Sequence, residues 1–196
     1  MDEKTMQKEY WSELLTAALV LGLINAVIMV LGYVFKDGGS QVMNWLLNIA
    51  TFAGIFWVLL QYGKRASRLD KFRKTGFSYG SAFGFSILML FISGILTGTC
   101  QWILQTVIDP KYGEELLRTA INAAEKTGVA VDDQQIAMIK MMTNSIWWII
   151  GASMLSMVML GGLVALVTST FAKRPGNPFA DEDDALRQGD GNENND

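Results

Sequence analysis

The sequence predicts an all-α membrane protein with four transmembrane helices and an extracytoplasmic amphipathic helical hairpin between the third and fourth helices. Three observations support this fold class. The chain is 51% hydrophobic and only 18% charged, whereas about 25% charged residues is usual for soluble domains. Charged residues are absent from four long runs, and the basic residues concentrate in one short loop.

The four charge-free runs define the predicted spans. They cover residues 14–35, 38–63, 75–108 and 141–172. Each run exceeds the roughly 20 apolar residues that a helix needs to cross the hydrocarbon core. We therefore predict spans near 12–35, 42–62, 77–104 and 146–171, all within one transmembrane domain over residues 1–172.

The loop Lys64–Lys74, KRASRLDKFRK, predicts the orientation of the chain. It holds six of the sixteen Lys and Arg residues. With four spans, both termini lie on the same side as this loop, and that side carries eleven of the sixteen. Because Lys and Arg collect on the cytoplasmic side of membrane proteins, both termini are predicted to be cytoplasmic.

The same loop has a second predicted role in contacting lipid. Juxtamembrane basic residues attract anionic headgroups. The headgroup candidates are Lys64, Arg65, Arg68, Lys71, Arg73 and Lys74. Membrane lipids are thus expected partners. Nucleic acid is not expected, because the loop is short, tethered at both ends and has no recognisable binding module.

Small residues recur every four positions within the spans, and this pattern favours close packing of membrane helices. The packing candidates are Ala18, Gly22 and Ala26, then Gly76, Gly80 and Gly84, and finally Gly161, Ala165 and Ser169. A compact bundle is the favoured interpretation. A lumen or binding cleft lined by these residues is the alternative.

The polar residues inside the spans are uncharged, and Asn25 and Asn48 are the two amides singled out. We expect Asn25 to form a hydrogen bond across helices or to its own backbone. Glu13, at the cytoplasmic edge of the first span, is the only charged residue that comes close to the membrane interior, which argues against an autonomous proton-coupled pump. No catalytic, cofactor-binding or metal-binding pattern occurs, since the chain has one cysteine and no histidine.

Two segments lie outside the predicted spans. Residues 109–145 begin with the break Asp109-Pro110 and continue with helical spacing of apolar residues. We predict a helical hairpin there, whose apolar stripe packs on itself, on the bundle or the membrane, or on a protein partner. The tail, residues 173–196, becomes acidic and polar and is predicted to be a disordered cytoplasmic segment.

Three features together resemble an uncharacterised membrane family of Bacteroidota, domain of unknown function 4199. They are the basic loop running into GFSYGSAFG, the helical segment AAEKTGVAVDDQQIAMIKMM before the last span, and the exit KRPGNPF. The resemblance covers roughly residues 8–180. It implies a four-span protein of the bacterial inner membrane and carries over no catalytic or binding residue.

The leading functional hypothesis is a non-catalytic scaffold or accessory subunit that binds a second copy or another membrane protein. The alternative is a small oligomeric transporter or channel component, with a polar path touching Asn25, Asn48 and Thr97. A membrane enzyme is the third reading. It requires hairpin carboxylates such as Glu114 and Asp133 to meet in one pocket.

Overall fold

The computed structural model describes residues 3–35, 41–73, 75–126, 132, 136–137, 140–141 and 145–177. Within these ranges the chain is helical, and no strand is present apart from one pair of bridged residues. The helices are α1 (Glu3–Val34), α2 (Gln41–Ala66), α3 (Tyr79–Ile103), α4 (Pro110–Lys126) and α5 (Ile146–Ala172). The all-α class is confirmed.

Four of these helices are long and apolar enough to cross a membrane: α1, α2, α3 with its extension to Ile108, and α5. Their outward faces are apolar, as the exposed side chains of Leu23 and Leu163 illustrate. A soluble bundle carries charge on such faces. The four-span prediction is therefore confirmed, and α1 begins nearer the N-terminus than the predicted span does.

The four long helices form a bundle in which α1 contacts α2 and α3, and α5 contacts α2 and α3. We call the end that holds residues 64–77 and 172–177 the basic end, and the opposite end the α4 end. The buried core lies mainly toward the basic end. Its largest fully buried side chains include Leu14, Leu59, Phe77 and Phe85.

The α3–α5 contact is the most extensive in the bundle, and two glycines explain it. A Cβ added at Gly94 lies 2.7 Å from the Cα of Met154, and one at Gly98 lies 2.8 Å from the Cα of Ile150. Only hydrogen atoms on these glycines allow the two backbones to approach so closely. This contact makes α3 and α5 the tightly joined half of the bundle.

At the basic end, the chain leaving α5 pairs with the chain entering α3. The N–H of Phe77 donates to the carbonyl of Arg174 at 2.8 Å, and the N–H of Arg174 donates back at 2.9 Å. Gly76 has φ +79°, and a Cβ there meets the backbone N of Gly176 at 2.6 Å. Glycine is therefore required in this turn. We call this pairing the clasp.

The prediction of an extracytoplasmic hairpin is only partly covered by the structure. Its first half is α4, a helix of 17 residues with strongly amphipathic spacing. Most of residues 127–144, including Asp133, lies outside the described residues, so the second half of the hairpin stays a prediction. The predicted disordered tail beyond Asn177 also lies outside them.

Candidate functional site

A cavity of about 670 Å³ lies among the helices in the half of the bundle toward the α4 end. All four long helices line it, and α4 lies across its outer side. Its volume falls within the roughly 300–1,000 Å³ of small-molecule sites. Apolar side chains form most of the wall. The polar side chains that line it include Asn25, Thr51, Thr97, Gln101, Gln105, Ser153 and Ser156.

The polar groups of the cavity bond mainly to their own helices. The amide of Asn25 donates to the carbonyl of Leu21 at 2.9 Å, which is one of the two arrangements expected for it. The Thr97 hydroxyl donates to the carbonyl of Ser93 at 3.0 Å. A hydroxyl that donates keeps its oxygen as an acceptor. The described side chains that line the cavity are all uncharged.

A local change of helix type positions the outermost polar residue. Residues Leu104–Ile108 form one π-helical turn at the end of α3, and Gln105 within it is buried and lines the cavity. Such turns re-aim side chains and are frequent at functional sites. Thr97, Gln101 and Gln105 recur at four-residue spacing. That spacing is the sequence signal that could have identified Gln101 and Gln105 beforehand.

Asp109 fixes α4 over the cavity. Its Oδ1 accepts hydrogen bonds from the N–H groups of Lys111 and Tyr112 at 3.1 and 3.3 Å. Its Oδ2 accepts one from the Tyr33 hydroxyl at 3.0 Å, and the rings of Tyr33 and Tyr112 meet edge to face. The predicted break at Asp109-Pro110 is thus the capped start of α4, tied to the end of α1.

Toward the basic end the interior of the bundle is filled by buried side chains. Leu14, Leu21, Val58 and Met89 have 0% exposure in the bundle below the cavity. The alternative transport hypothesis expects a polar path through Asn25, Asn48 and Thr97. Two of these residues line the cavity, but Asn48 does not.

Among the described side chains, the first half of α2 contributes no buried residue, whereas its second half contributes six, beginning at Ile55. Asn44, Asn48, Thr51 and Ile55 share one face of the helix by their spacing. Thr51 and Ile55 line the cavity, but Asn44 and Asn48 are exposed. The α4-end half of α2 therefore presents two amides on a face that the bundle leaves uncovered.

Two of the three predicted small-residue stripes lie inside the bundle. Ala18 and Gly22 are buried and Ala26 is half-buried. A Cβ on Gly22 meets the Leu96 side chain at 2.9 Å. Gly161, Ala165 and Ser169 are buried as well, and Gly161 faces the side chain of Leu90.

The third stripe does not pack within the bundle. Gly76 belongs to the clasp, whereas Gly80 and Gly84 are exposed, and an added Cβ on Gly84 has no atom within 4 Å. A packing role for Gly80 and Gly84 therefore stays a prediction about a second chain. The glycines that join α3 to α5, Gly94 and Gly98, were not singled out although they show the same four-residue spacing.

The six headgroup candidates of the basic loop differ in what they contact. The Arg65 guanidinium lies 4.9 Å from the ring centre of Tyr62, and the Lys71 ammonium lies 4.7 Å from that of Tyr10. Lys64 and Arg68 lie beside the end of α5. The carbonyl of Arg73 accepts a hydrogen bond from the N–H of Asn177. Lys74 lies outside the described residues.

Comparison with known proteins gives one match. A search of curated proteins and a search of solved structures find no match. The family model described as "Protein of unknown function (DUF4199)" matches residues 16–174, which is well over half of the chain. The matched segment contains α1 from its fourth turn onward, the other three long apolar helices, and both residues of the clasp, Phe77 and Arg174. The chain therefore belongs to the DUF4199 family, whose function is unknown.

Proposed function

We propose that this protein is a non-catalytic membrane protein that acts as a scaffold or accessory subunit, binding a helix of a second membrane chain. One observation carries the proposal. Asn48 lies two turns inside α2 on an exposed face, and its amide has no hydrogen-bond partner among the described residues. Asn44 lies one turn earlier on the same face.

An unpartnered amide at this depth is unfavourable in lipid. With a rise of 1.5 Å per residue, Asn48 lies about 10 Å from the start of α2. Hydrocarbon offers no hydrogen-bond partner there. Side-chain hydrogen bonds between membrane helices contribute about 0.6 kcal/mol on average and up to about 2 kcal/mol. A partner helix that bonds to these amides therefore gains both packing and hydrogen bonds.

The surroundings of Asn48 also favour a helix as the occupant. Trp45 and Ile49, its neighbours along α2, are exposed. Large apolar side chains around a polar centre suit helix-to-helix contact. The contact lies at the α4 end, next to the segment predicted to form the hairpin.

The test is co-purification of the natively expressed protein in mild detergent, followed by mass measurement of the intact complex. Asn48→Leu removes the amide, and Asn48→Gln keeps it. Gly84→Leu is the matched control on the other exposed face, because Gly84 has no neighbour within 4 Å. We expect the second chain, or the second copy, to be lost only from Asn48→Leu.

Two results contradict the proposal. The proposal is refuted if the purified wild-type protein has the mass of a single chain and carries no stoichiometric partner. Loss of the partner from Gly84→Leu, with retention by Asn48→Leu, moves the contact from α2 to the small-residue face of α3.

A small oligomeric transporter or channel component is the second candidate, and the cavity is the observation that favours it. The cavity reaches from the α4 end to the level of Asn25, and the polar groups that line it are uncharged among the described residues. That lining matches a small uncharged solute better than an ion.

Glycerol flux into liposomes tests this second candidate. Ser156→Trp fills the cavity, whereas Leu163→Trp adds the same side chain to an exposed position of α5. Transport predicts flux in the wild type and in Leu163→Trp, and its loss in Ser156→Trp. Equal flux in all three samples and in empty liposomes excludes it.

A further inference from the structure

A second pocket, of about 510 Å³, lies at the basic end between the last turn of α2 and the last turn of α5. Four basic residues line it: Lys64 and Arg68 from the α2 side, and Lys173 and Arg174 from the α5 side. We call it the basic pocket. It lies at the opposite end of the bundle from the cavity and from Asn48, so it is independent of the function proposed above.

The bundle brings these residues together through close packing of two helix ends. A Cβ on Gly63 lies 3.1 Å from the Cβ of Ala172, so α2 and α5 are in contact where they end. In the clasp, two hydrogen bonds join the backbone of Arg174 to the backbone of Phe77. The position of Arg174 beside the α2 end is therefore set by structure and not by a free tail.

Within the residues that the structure describes, no acidic side chain balances the charge of the basic pocket. None of its four basic residues forms an ion pair with a carboxylate in the described part of the chain. Asp70, the one acid of the basic loop, forms none there either. The C-termini of α2 and α5 contribute about −0.5 charge each. About one negative charge thus opposes four positive charges, which leaves a site for an anion.

We propose that the basic pocket binds a phosphate group, and that an anionic phospholipid supplies it. Arg and Lys are the side chains that bind phosphate oxygens most strongly. The pocket lies where two membrane-crossing helices end, at the level where headgroups are found. Phe171, which also lines the pocket, is 62% exposed and offers an apolar surface for the start of an acyl chain.

The assignment distinguishes the residues of the basic loop from one another. Lys64 and Arg68 belong to the pocket, whereas Arg65 and Lys71 lie over the rings of Tyr62 and Tyr10. If lipid were held only by general attraction between the charged loop and the membrane, all four residues would contribute equally. If lipid binds in the pocket, Lys64 and Arg68 contribute more than Arg65 and Lys71.

The experiment measures phosphatidylglycerol and phosphatidylcholine bound to the full-length protein by mass measurement of the intact complex in detergent. The variant Lys64→Gln/Arg68→Gln removes two charges from the α2 side of the pocket, and Lys173→Gln/Arg174→Gln removes two from the α5 side. Arg65→Gln/Lys71→Gln is the matched control, with the same loss of charge from the same loop. Inorganic phosphate is tested as the competing soluble ligand.

We expect one phosphatidylglycerol to bind in preference to phosphatidylcholine, with affinity about 30-fold weaker in each pocket variant, as two juxtamembrane charges imply. The control variant keeps the wild-type affinity. Equal loss in the control and pocket variants overturns the proposal, because it indicates diffuse attraction. Saturable binding of inorganic phosphate without retention of lipid overturns the assignment to a lipid.

Discussion

A single methyl group on Gly94 is expected to force α3 and α5 apart. A Cβ at this position lies 2.7 Å from the Cα of Met154, about 0.7 Å inside the 3.4 Å at which ordinary contact begins. The obstructing atom belongs to the backbone, so no side-chain rotation relieves the clash and the helices must shift. Overpacking of this kind costs about 1–3 kcal/mol.

Gly84→Ala is the matched control for Gly94→Ala. Both residues lie inside α3, and both substitutions gain up to about 1 kcal/mol of helix propensity. A Cβ on Gly84 has no neighbour within 4 Å. The difference between the two variants therefore isolates the contact with α5, and we expect Gly94→Ala to be less stable by about 1–3 kcal/mol.

The assay is unfolding of the purified protein in mixed micelles with increasing sodium dodecyl sulfate, followed by tryptophan fluorescence. The double variant Gly94→Ala/Gly98→Ala adds a second test. Once the helices have moved apart for one methyl group, a second methyl group costs less. The double variant is therefore expected to lose less stability than the sum of the losses in the two single variants. Equal free energies of unfolding for Gly94→Ala and Gly84→Ala would refute the close approach of the two backbones.

Gly76→Ala is expected to destabilise the protein by about 1–2 kcal/mol, because the φ of +79° at this position is unfavourable for alanine. Hydrogen exchange at the amides of the clasp should accelerate in this variant. Ser93→Ala should leave stability unchanged or raise it, since the buried Ser93 hydroxyl has no partner in the described structure. Ser86→Ala, which removes a hydrogen bond of 2.9 Å, should lower stability by about 1 kcal/mol in the same unfolding assay. Tyr33→Phe removes the hydrogen bond to Asp109 and should speed hydrogen exchange in α4, and unchanged exchange would contradict the role of Asp109 in fixing that helix.

The spans were predictable because one physical rule decides them. Charge is excluded from hydrocarbon, so the runs without Asp, Glu, Lys or Arg mark the crossings directly. The start of α4 was predictable for a similar local reason, since Pro110 ends the preceding helix and Asp109 can cap the next.

The direction in which each stripe faces was not predictable from spacing. Gly80 and Gly84 show the same four-residue period as Gly94 and Gly98, yet only the second pair contacts α5. The period identifies a shared face of a helix but not its rotation about the helix axis. That rotation depends on partners that are distant in the sequence, such as Met154 for Gly94.

The cavity was predictable only in part for the same reason. Asn25 and Thr97 were identified as polar residues within spans, and both line it. The exposure of Asn44 and Asn48 on the first half of α2 has no local signal in the sequence. Asn48 was therefore grouped with Asn25, although the structure buries one and exposes the other.

The clasp has a consequence for the order in which the chain is assembled during synthesis. Phe77 precedes α3, but its hydrogen-bond partner Arg174 follows α5 and is made last among the helical elements. The turn at Gly76 has no backbone to pack against until the ribosome has completed α5. A nascent chain that stops before Lys173 is expected to insert all of its helices and still lack this closure. The clasp therefore forms only after all four long helices have been synthesised.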